Sequence, residues 1–242
     1  MTGPSVLGDA FRYLNDPLSW TRRGGILDLL GDHLWMTLVA VLIGAAVALP
    51  LGLWLGHTGR RGTVVVGIAN LTRALPTLAL LYLFTAGLGL GQLPTILAVA
   101  IFAVPPILSN TYTGLREVDP DARDAGLGMG MSPARLLRSV ELPLALPVIA
   151  AGVRTAVVQV VATVSLASLV GGGGLGLIIS NGIFTQRFGQ ALAGALIVVA
   201  VCLGIEGALA LLQRLLTPAP LRIGSRARHG RRRDAAPVAA EV

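Results

Sequence analysis

Asp124-Ala125-Gly126, then three residues, Gly130, nine residues, and Val140-Glu141-Leu142-Pro143 form a spaced pattern between two long apolar stretches. The surrounding segment, Arg116 to Glu141, carries charges that a bilayer does not hold. Acids, small residues and glycines at this spacing perform no bond chemistry. What they offer is docking: Asp121 and Asp124 supply anchoring charge, Ala125 and Gly126 let another backbone approach closely, and Gly130 permits a tight turn. Asp119-Pro120 predicts the N-cap and first residue of one helix, and Ser132-Pro133 those of a second. Leu142-Pro143 is expected to end the second helix where the chain enters the membrane. A plain return between spans needs only a few residues, and this segment is longer and patterned.

The rest of the chain offers little for catalysis. Gly171-x-Gly173-x-x-Gly176 matches a dinucleotide fingerprint in form only, since no strand precedes it and no βαβ unit surrounds it. A hinge or close-packing point near an outer gate fits better. No phosphate-cradling Gly-x-x-x-x-Gly-Lys-Ser/Thr occurs, and the chain has no lysine at all. The single cysteine, Cys202, reads as a small buried hydrophobe. His33, His57 and His229 fall outside the predicted spans without metal-ligand spacing, and are expected to be solvated. No nucleophile–base pair is visible, so neither an enzyme nor a bound cofactor or metal is expected. Arg154 and Glu206 lie within apolar runs, where charges are costly and usually paired. They are expected to pair with each other, with Arg73 the rival partner for Glu206. Gln159 and Thr163 stand one helical turn apart, with Ser165 and Ser168 beyond. They line a polar passage or bond neighbouring helices.

The elements that must hold these residues are membrane spans. The chain of 242 residues is 54% hydrophobic and 13% charged, with a mean hydropathy of +0.75. A soluble domain carries roughly 25% charged residues. An uncharged run from Leu34 to Gly56 is long enough to cross the hydrocarbon, which takes about 20 helical residues. Ala74 to Leu115 is also uncharged and is cut by the glycine-rich turn before Pro94. Helices are expected over 64–88, 94–113, 144–169 and 190–216. The fold class is all-α integral membrane, with about five transmembrane helices. Residues 1–33 read as an interfacial or extracytoplasmic lead-in, 34–216 as the membrane domain with its loop at 116–143, and 217–242 as a disordered basic tail. The formal net charge is +7, and arginine concentrates in loop 57–62, the patterned loop and the tail. Arginine-rich loops stay cytoplasmic, which puts the N-terminus outside and the C-terminus inside. The basic tail is expected to touch lipid rather than nucleic acid.

The loop spacing resembles the EAA loop of ABC-importer permeases, with Asp124 for Glu, Gly126 for the second Ala and Val140 for Ile. Asn110-Thr111-Tyr112-Thr113-Gly114-Leu115, Val140 to Pro147 and Gly171 to Gly176 further resemble permeases of osmoprotectant importers, the glycine betaine/carnitine/choline group (ProW/OpuC-like, MetI-like fold), over residues 34–216. The resemblance implies a MetI-like core whose cytoplasmic coupling helix sits in an ATPase. It implies two cytoplasmic ATPases that hydrolyse ATP, a second permease subunit forming a homo- or heterodimer, and an extracytoplasmic substrate-binding protein. The site is a bacterial inner membrane. Asp121, Asp124, Ala125, Gly126, Gly130, Leu142 and Pro143 would form the coupling loop. Gln159, Thr163, Ser165, Gly173 and Gly176 would line the path or gate. Alternatives are an amino-acid or other small-zwitterion importer and an ion-driven carrier. Aromatic residues are only 5% of the chain and form no cluster within the spans. An aromatic cage for a quaternary ammonium is therefore expected in the binding protein.

Overall fold

Apolar runs of membrane length leave the backbone no partner but itself, so they fold as helices. The computed structural model describes residues 5–59 and 62–216, and they contain helices but no strand. Arg60, Arg61, His229 and the expected disordered tail at 217–242 lie outside the described residues.

Two short helices lead in: α1 (Val6–Asn15), capped by the Ser5 hydroxyl, and α2 (Pro17–Thr21), capped by the Asp16 carboxylate. Then α3 (Ile26–Thr58) runs for 33 residues, about 50 Å. It begins well before Leu34, because Asp28, Asp32 and His33 are accommodated in its first turns. Next come α4 (Gly62–Leu71) and α5 (Thr77–Leu88), then α6 (Gln92–Arg116). The loop contains α7 (Pro120–Gly128) and α8 (Pro133–Leu136). A π turn over 137–141 joins α8 to α9 (Leu142–Val164), and a 3-10 stretch continues α9 to Val170. The chain closes with α10 (Gly176–Phe184) and α11 (Phe188–Leu216). Among the described residues, four helices are long and apolar enough to cross a membrane, and five segments are if α4 and α5 count as one broken span.

That break corrects the expected continuous helix over 64–88. The two halves meet at 85°. Pro76 lacks an N–H and forces Leu75 into an extended conformation, with ψ of 131°. A second correction concerns Leu142-Pro143, which does not end the loop's second helix. The helix passes through it into α9. The Leu142 N–H reaches back five residues to the Leu137 carbonyl, so the ladder widens just before the proline rather than breaking.

α6 is the central helix. On α3, Ala40, Gly44, Ala48, Gly52 and Gly56 recur every fourth residue and are all buried. A Cβ on Gly44 would lie 2.6 Å from Ala103 Cβ, one on Gly52 2.7 Å from Thr111 Cβ, and one on Gly56 2.8 Å from Leu115 Cβ. The stripe therefore lies against α6 almost backbone to backbone, which is how helices associate when lipid is as apolar as any side chain. On the other flank of α6, Gly152 of α9 seats Asn110, and Gly114 seats Val148. Ile107, Leu108, Val160 and Val164 fill the shared core. α11 packs on α10 and α1 through Ile178, Ile197 and Tyr13 and meets α9 further along, while Leu196, Val199, Leu203, Leu211 and Leu215 stay exposed.

Gly52→Val should separate α3 from α6, because backbone and branched Thr111 both oppose the added methyls. Overpacking of this kind costs about 1–3 kcal/mol. A lower unfolding temperature and loss of monodispersity in detergent are expected, whereas Gly67→Ala, with open space around it, should leave both unchanged.

Candidate functional site

The patterned loop is ordered. Asp119 caps α7, accepting the Asp121 N–H at 2.9 Å. Gly130 adopts the left-handed region, φ 75°, and turns the chain back. The Met131 N–H closes the turn on the Gly126 carbonyl at 3.2 Å. Gly126 is buried beneath Leu136, where a Cβ would meet the Leu136 side chain at 2.6 Å, so the two arms of the loop lie in contact. Ser132 precedes α8 as expected, but its side chain makes no capping bond. Asp121, Asp124, Ala125, Gly130, Arg135 and Arg138 are exposed, Leu142 is half-buried and Pro143 is exposed. Leu127 and Met129 stand 52% and 71% exposed on the same loop. Exposed apolar side chains rimmed by acids and arginines, outside any membrane-length helix, make a surface suited to protein contact.

Behind that surface lies a residue that sequence reasoning did not single out. Glu141, in the π turn, is 1% exposed. His57, in the last turn of α3, donates from Nδ1 to Glu141 Oε2 at 2.6 Å. Arg123 of α7 brings Nε to 3.2 Å of Glu141 Oε1, an ion pair without aligned hydrogen-bond geometry. Arg123 Nη2 also donates to the Leu115 carbonyl near the end of α6, at 2.7 Å. One carboxylate thus joins the loop helix α7, the C-terminal ends of α3 and α6, and the start of α9. A buried charge is tolerated only when paired and hydrogen-bonded. The expectation that His57 is solvated is corrected: it is half-buried against Glu141, because the last turn of α3 ends beside that carboxylate.

The opposite end carries the glycine loop. Gly171, Gly173 and Gly174 all have φ between 72° and 83°. A Cβ on Gly172 would lie 2.7 Å from Thr95 Oγ1, and one on Gly174 3.3 Å from His33 Nδ1. Gly176 packs directly on the Ser165 backbone. The segment is a close-packing point, clamped by α3, α6 and the 3-10 stretch. His33 is fully buried rather than solvated, with Nε2 2.9 Å from the Val161 carbonyl, so it ties α3 to α9. Ser165 Oγ and Thr95 Oγ1 are buried without a protein partner. Thr163 donates to the Gln159 carbonyl at 2.7 Å, so its hydroxyl bonds its own helix. Near this end, a cavity of about 760 Å³ opens between α1 and the α10–α11 connection, lined by Asp9, Arg12, Tyr13, Arg22 and Arg187 among others.

Within the spans, Arg154 Nε lies 3.2 Å from Glu206 Oε1. Arg154 also donates to Gln213 Oε1 at 3.1 Å, and Gln213 donates to the Pro147 carbonyl at 2.9 Å. Arg73 lies elsewhere, exposed in the 3-10 turn after α4. Among the described residues no cluster of His, Cys, Asp or Glu could hold a metal ion.

Membrane-length helices with an ordered, charged helical loop between them define a multi-pass membrane protein. Residues 48–218 match the family described as the binding-protein-dependent transport system inner membrane component, and the chain belongs to that family. It is a multi-pass inner-membrane transport permease. It is 41% identical over 202 residues to the choline transport system permease protein OpuBB of Bacillus subtilis (strain 168), covering 84% of this chain and 93% of that one. It is 39% identical, with the same coverage, to the glycine betaine/carnitine/choline transport system permease protein OpuCB of the same organism. Among solved structures, an inward-facing form of the MetNI methionine ABC transporter matches with a TM-score of 0.69 and 25% identity. That match covers 84% of this chain and all of the matched chain.

Glu141, Arg123 and His57 were findable in principle. An acid at the threshold of an apolar span must meet a cation, and Arg123 lies on the other arm of the same loop. Arg123→Ala leaves the Glu141 charge buried with His57 alone, and should cost about 3–5 kcal/mol. Asp124→Ala, exposed, should stay within about 0.5 kcal/mol. Thermal unfolding in detergent compares them. Arg154→Glu should likewise lower folded yield, and adding Glu206→Arg should restore it. A double variant no better than the single would remove the pair from the account.

Proposed function

We propose that this chain is the permease subunit of a bacterial ABC importer, moving an osmoprotectant such as glycine betaine, carnitine or choline. The observation that carries this reading is the ordered loop, with Asp121, Asp124, Ala125, Leu127 and Met129 exposed while Glu141 roots it in the membrane core. The family match and the quaternary-ammonium and carnitine permeases among its relatives supply the substrate class.

In this reading the loop at 116–143 is cytoplasmic and α7 is the coupling helix, docked in one of two ATPase subunits. Asp121 and Asp124 anchor it, Ala125 and Gly126 allow close approach, Gly130 sets the turn, and Leu142 and Pro143 root it in α9. A second permease subunit, identical or related, completes the membrane part. The N-terminus lies outside and the C-terminus inside. The charged cavity between α1 and the α10–α11 connection faces an extracytoplasmic binding protein. Gln159, Thr163 and Ser165 border the path, and Gly173 and Gly176 let its outer gate pack tightly. Residues 34–216 are the transport domain, and the lead-in and basic tail flank it. The scarcity of aromatic residues leaves selection of the ammonium group to the binding protein.

The test is uptake of radiolabelled glycine betaine, choline and carnitine in a transporter-deficient bacterium. The cells express this chain with a genomically neighbouring ATPase and binding protein. Gly130→Leu should abolish uptake while membrane insertion persists. No atom lies within 4 Å of a Cβ at Gly130, but its φ is left-handed. A side chain there costs about 1–2 kcal/mol, enough to re-aim the turn and too little to unfold the spans. Full uptake by that variant would sink the coupling role of the turn. Absence of wild-type uptake, with the ATPase still copurifying, would overturn the substrate class and keep the importer.

A further inference from the structure

Motion of a docked helix does useful work only if the gate-bearing helices move with it. We infer that Glu141 is the positioning residue that makes α7 move as one body with α3, α6 and α9. The inference rests on the reading of α7 as the coupling helix.

The geometry supports this in three steps. First, α7 has few other anchors. Its exposed side holds Asp121, Asp124 and Ala125, and its buried glycine touches the Leu136 side chain, which is flexible. Arg123 is the one α7 side chain shown bonded to the helical core, through Glu141 Oε1 and the Leu115 carbonyl. Second, Glu141 is shared. Its other oxygen accepts the hydrogen bond from His57 Nδ1, so a shift of the carboxylate is felt at the end of α3. Third, α3 is one continuous helix with Pro50 in its course, held on α6 at Gly44 before that proline and at Gly52 and Gly56 after it, and its far end carries the glycine-loop contacts: Gly174 packs on His33 and Met36, and Gly173 approaches Asp32. A push on α7 therefore reaches the opposite end through one carboxylate and one helix. The π turn that holds Glu141 places it there, since the widened ladder turns its side chain inward while Arg135 and Arg138 face out.

A merely structural Glu141 would lower hydrolysis and uptake together. A positioning Glu141 separates them. The test uses proteoliposomes containing the whole transporter, with this chain carrying Cys202→Ala, Gly128→Cys and Leu38→Cys. Spin labels then report the distance from α7 to the outer half of α3 with ADP and with trapped ATP. Gly128 has open space around it and Leu38 is exposed. In the otherwise natural chain the distance distribution should stay narrow and equal in both states. With Glu141→Gln it should broaden and change with nucleotide. His57→Gln leaves Glu141 neutralised by Arg123, so it preserves folding, and it should broaden the distribution less, because Arg123 still holds the Leu115 carbonyl and the glycine stripe still seats α3 on α6. In the same vesicles both variants should hydrolyse ATP near the natural rate, while glycine betaine or choline carried per ATP falls about tenfold. Equally narrow distributions in all three chains, or hydrolysis and uptake falling in proportion, would overturn the inference. If the natural chain carries none of the tested compounds, the substrate reading fails and the spin-label distances alone decide the role of Glu141.

Discussion

A single buried carboxylate among the described residues holds the 116–143 loop to the membrane helices, and much of the structure is arranged to let it exist. Glu141 is 1% exposed, so its charge has lost nearly all its water. The loss is offset only because Arg123 and His57 arrive from two other elements. Arginine suits this place better than lysine would. Its planar fork serves the carboxylate with Nε and the Leu115 carbonyl with Nη2 at once. His57 suits the end of α3 because a ring N–H donates without requiring a full charge, and any charge it does acquire is favoured at a helix C-terminus.

The junction has a defined direction because the helices it joins cannot slide freely. The small-residue stripe from Ala40 to Gly56 seats α3 on α6 at near-backbone distance, and tightly interdigitated surfaces shift between discrete packings rather than deforming gradually. Gly152 does the same between α9 and α6. A displacement applied at Glu141 is thus carried along α3 and α9 to the end where Gly172, Gly174 and Gly176 are clamped. There, Thr95 Oγ1, Ser165 Oγ and His33 Nδ1 are buried without protein partners.

Much of this was legible in the residues. Apolar run length gave the spans, because lipid leaves helices as the only option for a backbone of that length. The loop's first helix was legible from Asp119-Pro120, whose capping depends on neighbours alone. What failed was set by partners distant in sequence or by competition between local rules. Pro76 broke an apolar run that periodicity alone would continue. Pro143 seemed a terminator, yet a π turn absorbed it. His33 and His57 seemed solvated because both lie just outside the uncharged run from Leu34 to Gly56. Their partners are Val161 and Glu141, 128 and 84 residues away. Arg154 and Glu206 were the reverse case, since a charge at bilayer depth announces that it must find its opposite.

Why a charge should stand at the junction at all follows from what an apolar plug would do there. Buried ion pairs are often no more stabilising than well-packed hydrophobic residues of equal volume, so stability alone does not explain Glu141. A leucine in its place would make only non-directional contacts and would tolerate small slips in any direction. A carboxylate held by one directed hydrogen bond and one ion pair tolerates fewer, since a slip leaves a buried charge in apolar surroundings. The cost of desolvation is thus exchanged for registry: α7 can rock with the bundle, but cannot rock independently of it. The loop's outer side chains, Asp121, Asp124 and Ala125, are exposed and weakly anchored, so water can replace their contacts, whereas those of Glu141 lie where water does not reach.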